Sequence, residues 1–116
     1  MNIFLSLSNQ TQNIDEYRKC TNECFLCEKT AKAAHDYLAD NYDCNVMIAE
    51  PIDRMTVHIE TAKTFKTNVY VPIHTNAAGT SFVKGCEVFY LIMDLDGRKL
   101  TAGLKGAMAF LGCAVR

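Results

Sequence analysis

Asn2-Ile3-Phe4-Leu5-Ser6-Leu7-Ser8-Asn9-Gln10 is the stretch on which the fold turns. Ile3, Leu5 and Leu7 alternate with Phe4 and Ser6, the period-2 pattern of a strand, and the run ends in polar residues that open a loop. The loop continues to about Thr21. From Asn22, a residue type suited to an N-cap, Cys24, Cys27, Ala31, Ala34 and Leu38 recur at spacings of three and four, with Glu28, Lys32 and Asp36 opposite. That spacing predicts a helix ending near Asn41 with one buried stripe.

The rest of the chain repeats the alternation. Cys44 to Ala49 is a second short apolar run, stopped by Glu50-Pro51 because proline disfavours continuation there. After a turn at Asp53-Arg54, the positions Met55, Ile59, Ala62 and Phe65 form a helical stripe, with Thr61, Lys63 and Lys66 opposite. Val69 to His74 is β-branched and aromatic and predicts a strand despite Pro72, which removes one donor. The loop Thr75 to Thr80 follows, then a strand over Cys86 to Met93 and a turn over Asp94 to Gly97. Leu100, Leu104, Ala107 or Met108, and Leu111 mark a last helix, weakened by Gly103 and Gly106. The order predicts an α/β fold, a mostly parallel or mixed sheet flanked by helices, with ligands at the carboxyl ends of the strands.

At 116 residues and 49% hydrophobic content the chain is read as one domain, 1–116, since a chain this size hides roughly 65% of its unfolded surface in a single core. Twelve Lys+Arg against thirteen Asp+Glu give a net charge of −1. That balance carries no electrostatic footprint for nucleic acid or an anionic membrane. The apolar run Val88 to Met93 is far shorter than the ~20 residues of a membrane span. MNIFLSLSNQ lacks a secretory leader's pattern, so the expectation is cytoplasmic synthesis. The six cysteines, at 20, 24, 27, 44, 86 and 113, are read as mainly buried thiols rather than a disulfide framework.

Three places supply chemistry where a parallel sheet gathers it: Ser8-Asn9-Gln10, Glu23 at the start of the first helix, and His74-Thr75-Asn76. Glutamate and histidine are zinc ligands, and catalytic zinc keeps three protein ligands with one open position. Taken alone, His74 suits a structural hydrogen bond better than a ligand role, and Glu23 is an acid favoured in a helix's first turn. Asn76 suits hydrogen bonding of the turn after His74. His35 and His58 are read as surface or boundary residues. Cys20, Cys24 and Cys27 have the C-x3-C-x2-C spacing of radical S-adenosylmethionine enzymes and form a competing iron–sulfur constellation.

Four blocks, Asn2 to Gln10, Thr21-Asn22-Glu23, Val71 to Ala77 (VPIHTNA) and Gly85 to Tyr90 (GCEVFY), together resemble the zinc-dependent N-acetylmuramoyl-L-alanine amidases of bacterial cell-wall hydrolases and phage lysins. The resemblance implies hydrolysis of the amide between N-acetylmuramic acid and L-alanine, with peptidoglycan or muropeptide as partner and Zn2+ as cofactor. It implies that Glu23 and His74 hold the metal, with Asn9 or Gln10 where many members carry histidine, and makes Asn76 a candidate substrate-binding residue. A neutral amide oxygen is the weaker ligand. The family's general acid/base glutamate falls beyond Arg116, so the chain is expected to be a front portion of weak or no activity, incomplete relative to the family, with Glu87 the substitute candidate. Self-association through Leu100, Leu104 and Leu111 is expected to cover the uncovered edge. A non-catalytic peptidoglycan-binding or interaction module is the alternative that keeps the shape without the chemistry.

Overall fold

The structure, a computed structural model, describes residues 1–9, 22–75 and 85–115. The protein is α/β, and it divides into two compact units, Met1–Asn76 and Ala77–Arg116. In the first, β1 (Asn2–Leu7), α1 (Glu23–Asn41), β2 (Asn45–Ile48), α2 (Met55–Thr64) and β3 (Val69–Ile73) follow one another. The three strands are all parallel, in the order β2-β1-β3, so β1 is central.

Register explains why both faces of β1 are buried. Ile3 pairs with Val46 and Val69, and Leu5 with Ile48 and Val71, which places apolar side chains of all three strands in phase on one face. Cys27, Ala31, Ala34 and Leu38 of α1 pack on that face. Phe4 points the other way and packs with Met47, Ala49, Ala62 and Phe65, so α2 covers the second face. The Phe4 and Tyr70 rings, partners in the register, stack with centroids 5.5 Å apart. Pro72 is tolerated because β3 is an edge of the described sheet, where half of its N–H groups need no strand partner.

The helix ends are built from local chemistry. Asn22 caps α1, its side-chain oxygen accepting from the Phe25 N–H at 2.9 Å, as the sequence predicts. At the far end of α2, Lys66 adopts φ 55°. The Lys66 N–H donates to the Lys63 carbonyl and the Thr67 N–H to the Ala62 carbonyl, the paired bonds of a Schellman closure with lysine where glycine is usual.

Two expectations for α2 need correction. His58, read as a surface or boundary residue, is 2% exposed, while Ile59 of the expected apolar stripe is exposed. The buried stripe is His58, Ala62 and half-buried Phe65, one position round from the predicted one. The reason lies on β1: Ser6 faces α2 from the centre of the sheet and needs a polar partner. His58 Nδ1 lies 3.0 Å from Ser6 Oγ, and Nε2 lies 3.1 Å from the Glu50 carbonyl oxygen. A carbonyl only accepts, so Nε2 carries the proton and Ser6 donates to Nδ1.

The second unit also departs from expectation. Cys86 to Met93 forms no strand; Cys86 makes a single parallel bridge to Val115, and Phe89, Leu91, Ile92 and Met93 are exposed. An apolar run becomes a strand only when a ladder partner meets it, and among the described residues none does beyond Cys86. The expected Asp94–Gly97 turn is the first turn of α3 (Leu95–Phe110), since the Asp94 side chain accepts from the Gly97 N–H at 2.8 Å and caps the helix. Its buried face centres on Thr101, with Leu104 and Met108 half-buried, whereas Leu100 and Leu111 are exposed. The Cys86 thiol donates to that of Cys113, and this bond, with burial, raises the Cys86 thiol above its ordinary pKa. No helix among the described residues is long and apolar enough to cross a membrane.

Candidate functional site

Parallel pairing sets Leu7 beside Ile73, so the residues that follow β1 and β3 emerge side by side. The Ser8 N–H donates to the Ile73 carbonyl at 3.1 Å and carries the pairing one residue past the strands. The first turn of α1 arrives at this same end, and a carboxylate there is favoured by the exposed N–H groups of the helix start. Glu23 is that residue, and it is buried.

Its Oε1 lies 3.4 Å from His74 Nδ1 and accepts the Thr75 N–H at 3.3 Å. The side chain of Glu23 is 4% exposed and that of His74 43% exposed, so one donor is held inside while the other opens to solvent. Cys27, one turn further along α1, lies beneath. Burial raises its thiol's pKa, and the neighbouring charge of Glu23 adds to the effect, while backbone hydrogen bonds with Ser8 and Thr75 partly offset it. Its neutral, protonated form is thereby favoured, which suits a residue that fills the floor.

The distance between the two donors bears on metal fit. A charge-assisted N–H···O bond is typically ~2.7–2.9 Å, shorter than the 3.4 Å found here. Two ligands on one tetrahedral zinc, each at about 2.0–2.2 Å, stand about 3.3–3.5 Å apart. A carboxylate oxygen and an imidazole nitrogen at 3.4 Å therefore fit one edge of a zinc site in both chemistry and spacing.

The other sequence-derived candidates are placed differently. Asn9 is exposed and its side-chain nitrogen donates to the Asp53 carbonyl at 3.0 Å, which turns that amide toward the loop before α2. Gln10 and Asn76 lie outside the described residues, as does Cys20. Cys24 and Cys27 are buried on α1. Glu87 belongs to the second unit, where it lines a pocket with Arg98 and Lys105. Among the described residues no group of three or more His, Cys, Asp or Glu side chains is placed to hold a metal.

Cys27 under the site and the Ser6–His58 pair are the features that sequence reading missed. The signal for the first was the i+4 offset from Glu23, which puts both on one helix face. For the second it was a serine in phase with Phe4 on a central strand. Comparison with protein-family models, with curated proteins and with solved structures returns no match.

Proposed function

We propose that the first unit is the metal-binding part of a peptidoglycan amidase, directed at the amide between N-acetylmuramic acid and L-alanine. The observation that carries this reading is the Glu23–His74 donor pair, buried on one side, open on the other, and spaced as two ligands of one zinc. The amidase-like blocks around Asn22-Glu23 and His74 support it. Zinc, when bound, supplies a polarised carbonyl and a bound water of lowered pKa.

This chain's own residues do the positioning. The Thr75 N–H fixes Glu23 Oε1, so the carboxylate is oriented before a cation arrives. The Asn22 cap holds the helix turn that carries Glu23, and the β1–β3 register holds His74 against it. Exposure of the His74 ring leaves room for a substrate carbonyl on the solvent side. With Asn9 engaged by the Asp53 carbonyl, Gln10 is proposed as the remaining donor, and Asn76 as a substrate contact.

The test is release of new alanine amino termini from purified cell walls by zinc-loaded protein, compared with Glu23→Gln and His74→Ala. Loss of release in both variants supports hydrolysis. Equal release by all three proteins overturns it. A second reading, a module that binds muropeptide without cutting it, is favoured by Asn9, whose side-chain amide is engaged with the Asp53 carbonyl at 3.0 Å. Saturable muropeptide binding with no new amino termini supports that reading instead.

A further inference from the structure

The second unit holds a pocket of about 310 Å³ formed between Glu87, Val88, Phe89 and Tyr90 on one side and Arg98, Thr101, Ala102 and Lys105 of α3 on the other. The helix residues recur at i, i+3, i+4 and i+7, so a single face of α3 presents them. At ~30 Å³ per water the space admits on the order of ten non-hydrogen atoms, near the lower end of ligand pockets.

Thr101 is the observation that separates this pocket from an ordinary surface dent. It is 6% exposed, and its hydroxyl has no hydrogen-bond partner among the described residues. Helical threonines ordinarily satisfy themselves by donating to the carbonyl four residues back. Thr30 does so to Leu26 at 2.9 Å and Thr64 to Glu60 at 3.1 Å. Thr101 makes no such bond to Gly97. A buried hydroxyl left unpaired in a pocket wall is costly unless something else fills its valence.

The charges around it set the sign of what that is. Arg98 and Lys105 flank Thr101 on the helix face, and neither enters an ion pair among the described residues. Against the single carboxylate of Glu87 they leave one net positive charge on the lining. Val88, Phe89 and Ala102 supply an apolar wall.

We propose that this pocket is a binding site for a small organic monocarboxylate, its carboxyl group held by Arg98, Lys105 and the Thr101 hydroxyl and its body against Val88 and Phe89. The guanidinium matches a carboxylate with two parallel donors, and the hydroxyl completes the set. The inference is independent of the zinc reading, since every residue it uses belongs to the second unit.

The experiment titrates the full chain with 3-phenylpropionate, with its uncharged amide, and with inorganic phosphate, and follows backbone amide NMR shifts. For the acid, saturable shifts at millimolar or lower concentration are expected, confined to residues 87–90 and 98–105. The amide and phosphate should each bind at least tenfold more weakly. Arg98→Gln should weaken the acid by roughly 10–100-fold, the range for a hydrogen bond to a charged group. Lys105→Gln gives a second reading if Arg98→Gln folds poorly. Thr101→Val should weaken binding severalfold while raising the melting temperature of the free protein, because it removes the unpaired hydroxyl and keeps the shape. Unsaturable or scattered shifts, equal binding of acid and amide, equal binding of phosphate, or a Thr101→Val protein that binds normally would each overturn the proposal.

Discussion

Replacing Ser6 by alanine is the sharpest test of how the first unit is held together. The hydroxyl is fully buried and donates to His58 Nδ1 at 3.0 Å, while the other ring nitrogen donates to the Glu50 carbonyl at 3.1 Å. Ser6→Ala removes one hydrogen bond and leaves a buried ring nitrogen without a donor, a loss of about 1–3 kcal/mol. His58→Leu removes two hydrogen bonds and the edge contact of its ring with Phe4, centroids 6.5 Å apart; it strands the Glu50 carbonyl and leaves the Ser6 hydroxyl only the weak Met55 sulfur acceptor at 3.9 Å. We expect about 2–4 kcal/mol for that change. In the double variant the Ser6 and His58 partners disappear together, so the combined loss should fall short of the sum of the two by about 1–2 kcal/mol. Urea denaturation of the parent, both single variants and the double variant measures this coupling. Additivity within about 0.5 kcal/mol would refute the hydrogen-bonded pair.

Further outcomes follow from the same geometry. Lys66→Gly should stabilise the protein by about 1 kcal/mol in denaturant titration, because lysine at φ 55° carries a left-handed strain that glycine does not. Cys27 should alkylate with iodoacetamide well after the half-buried Cys44, read by mass spectrometry of timed digests. Because the folded state raises the Cys27 pKa, its stabilising contribution is full below the ordinary thiol pKa and is lost as pH rises through the folded value. Denaturation midpoints of Cys27→Ala should therefore fall less on the alkaline side than those of the parent. Phe89, Leu91, Ile92, Met93 and Leu95 are exposed in one run, and concentration-dependent self-association is expected by sedimentation, reduced in Leu91→Lys and Ile92→Lys.

The elements whose pattern is local were legible in the sequence. Asn22 as cap and the Cys24–Leu38 stripe gave α1 because both depend on spacing within one helix. Asn2–Leu7, Cys44–Ala49 and Val69–His74 each became a strand in a parallel sheet, since apolar alternation there coincided with available partners. The run Cys86–Met93 has equally strong composition and forms no ladder among the described residues, because composition does not specify a partner. His58 was misread for a related reason. A polar side chain in a helix is ordinarily turned to solvent, and only Ser6, fifty-two residues away, makes burial favourable. At the site, Glu23 and His74 meet as the sequence implied, whereas Asn9 is drawn off to the Asp53 carbonyl, a loop contact with no sequence signature. Gln10 and Asn76 lie outside the described residues.

The central claim is that Glu23 and His74 are two ligands of one zinc, and the most direct measurement is zinc affinity by competition with a chromophoric chelator. Parent, Glu23→Gln and His74→Ala proteins are compared at equal concentration and pH, with circular dichroism to establish that each is folded. Removing even an outer partner of a metal ligand typically costs 10–100-fold, so losing a ligand should cost at least about 100-fold in each variant. The double variant should bind zinc no more tightly than background, with one zinc per chain in the parent. Equal zinc affinity in the parent and both single variants would contradict the account.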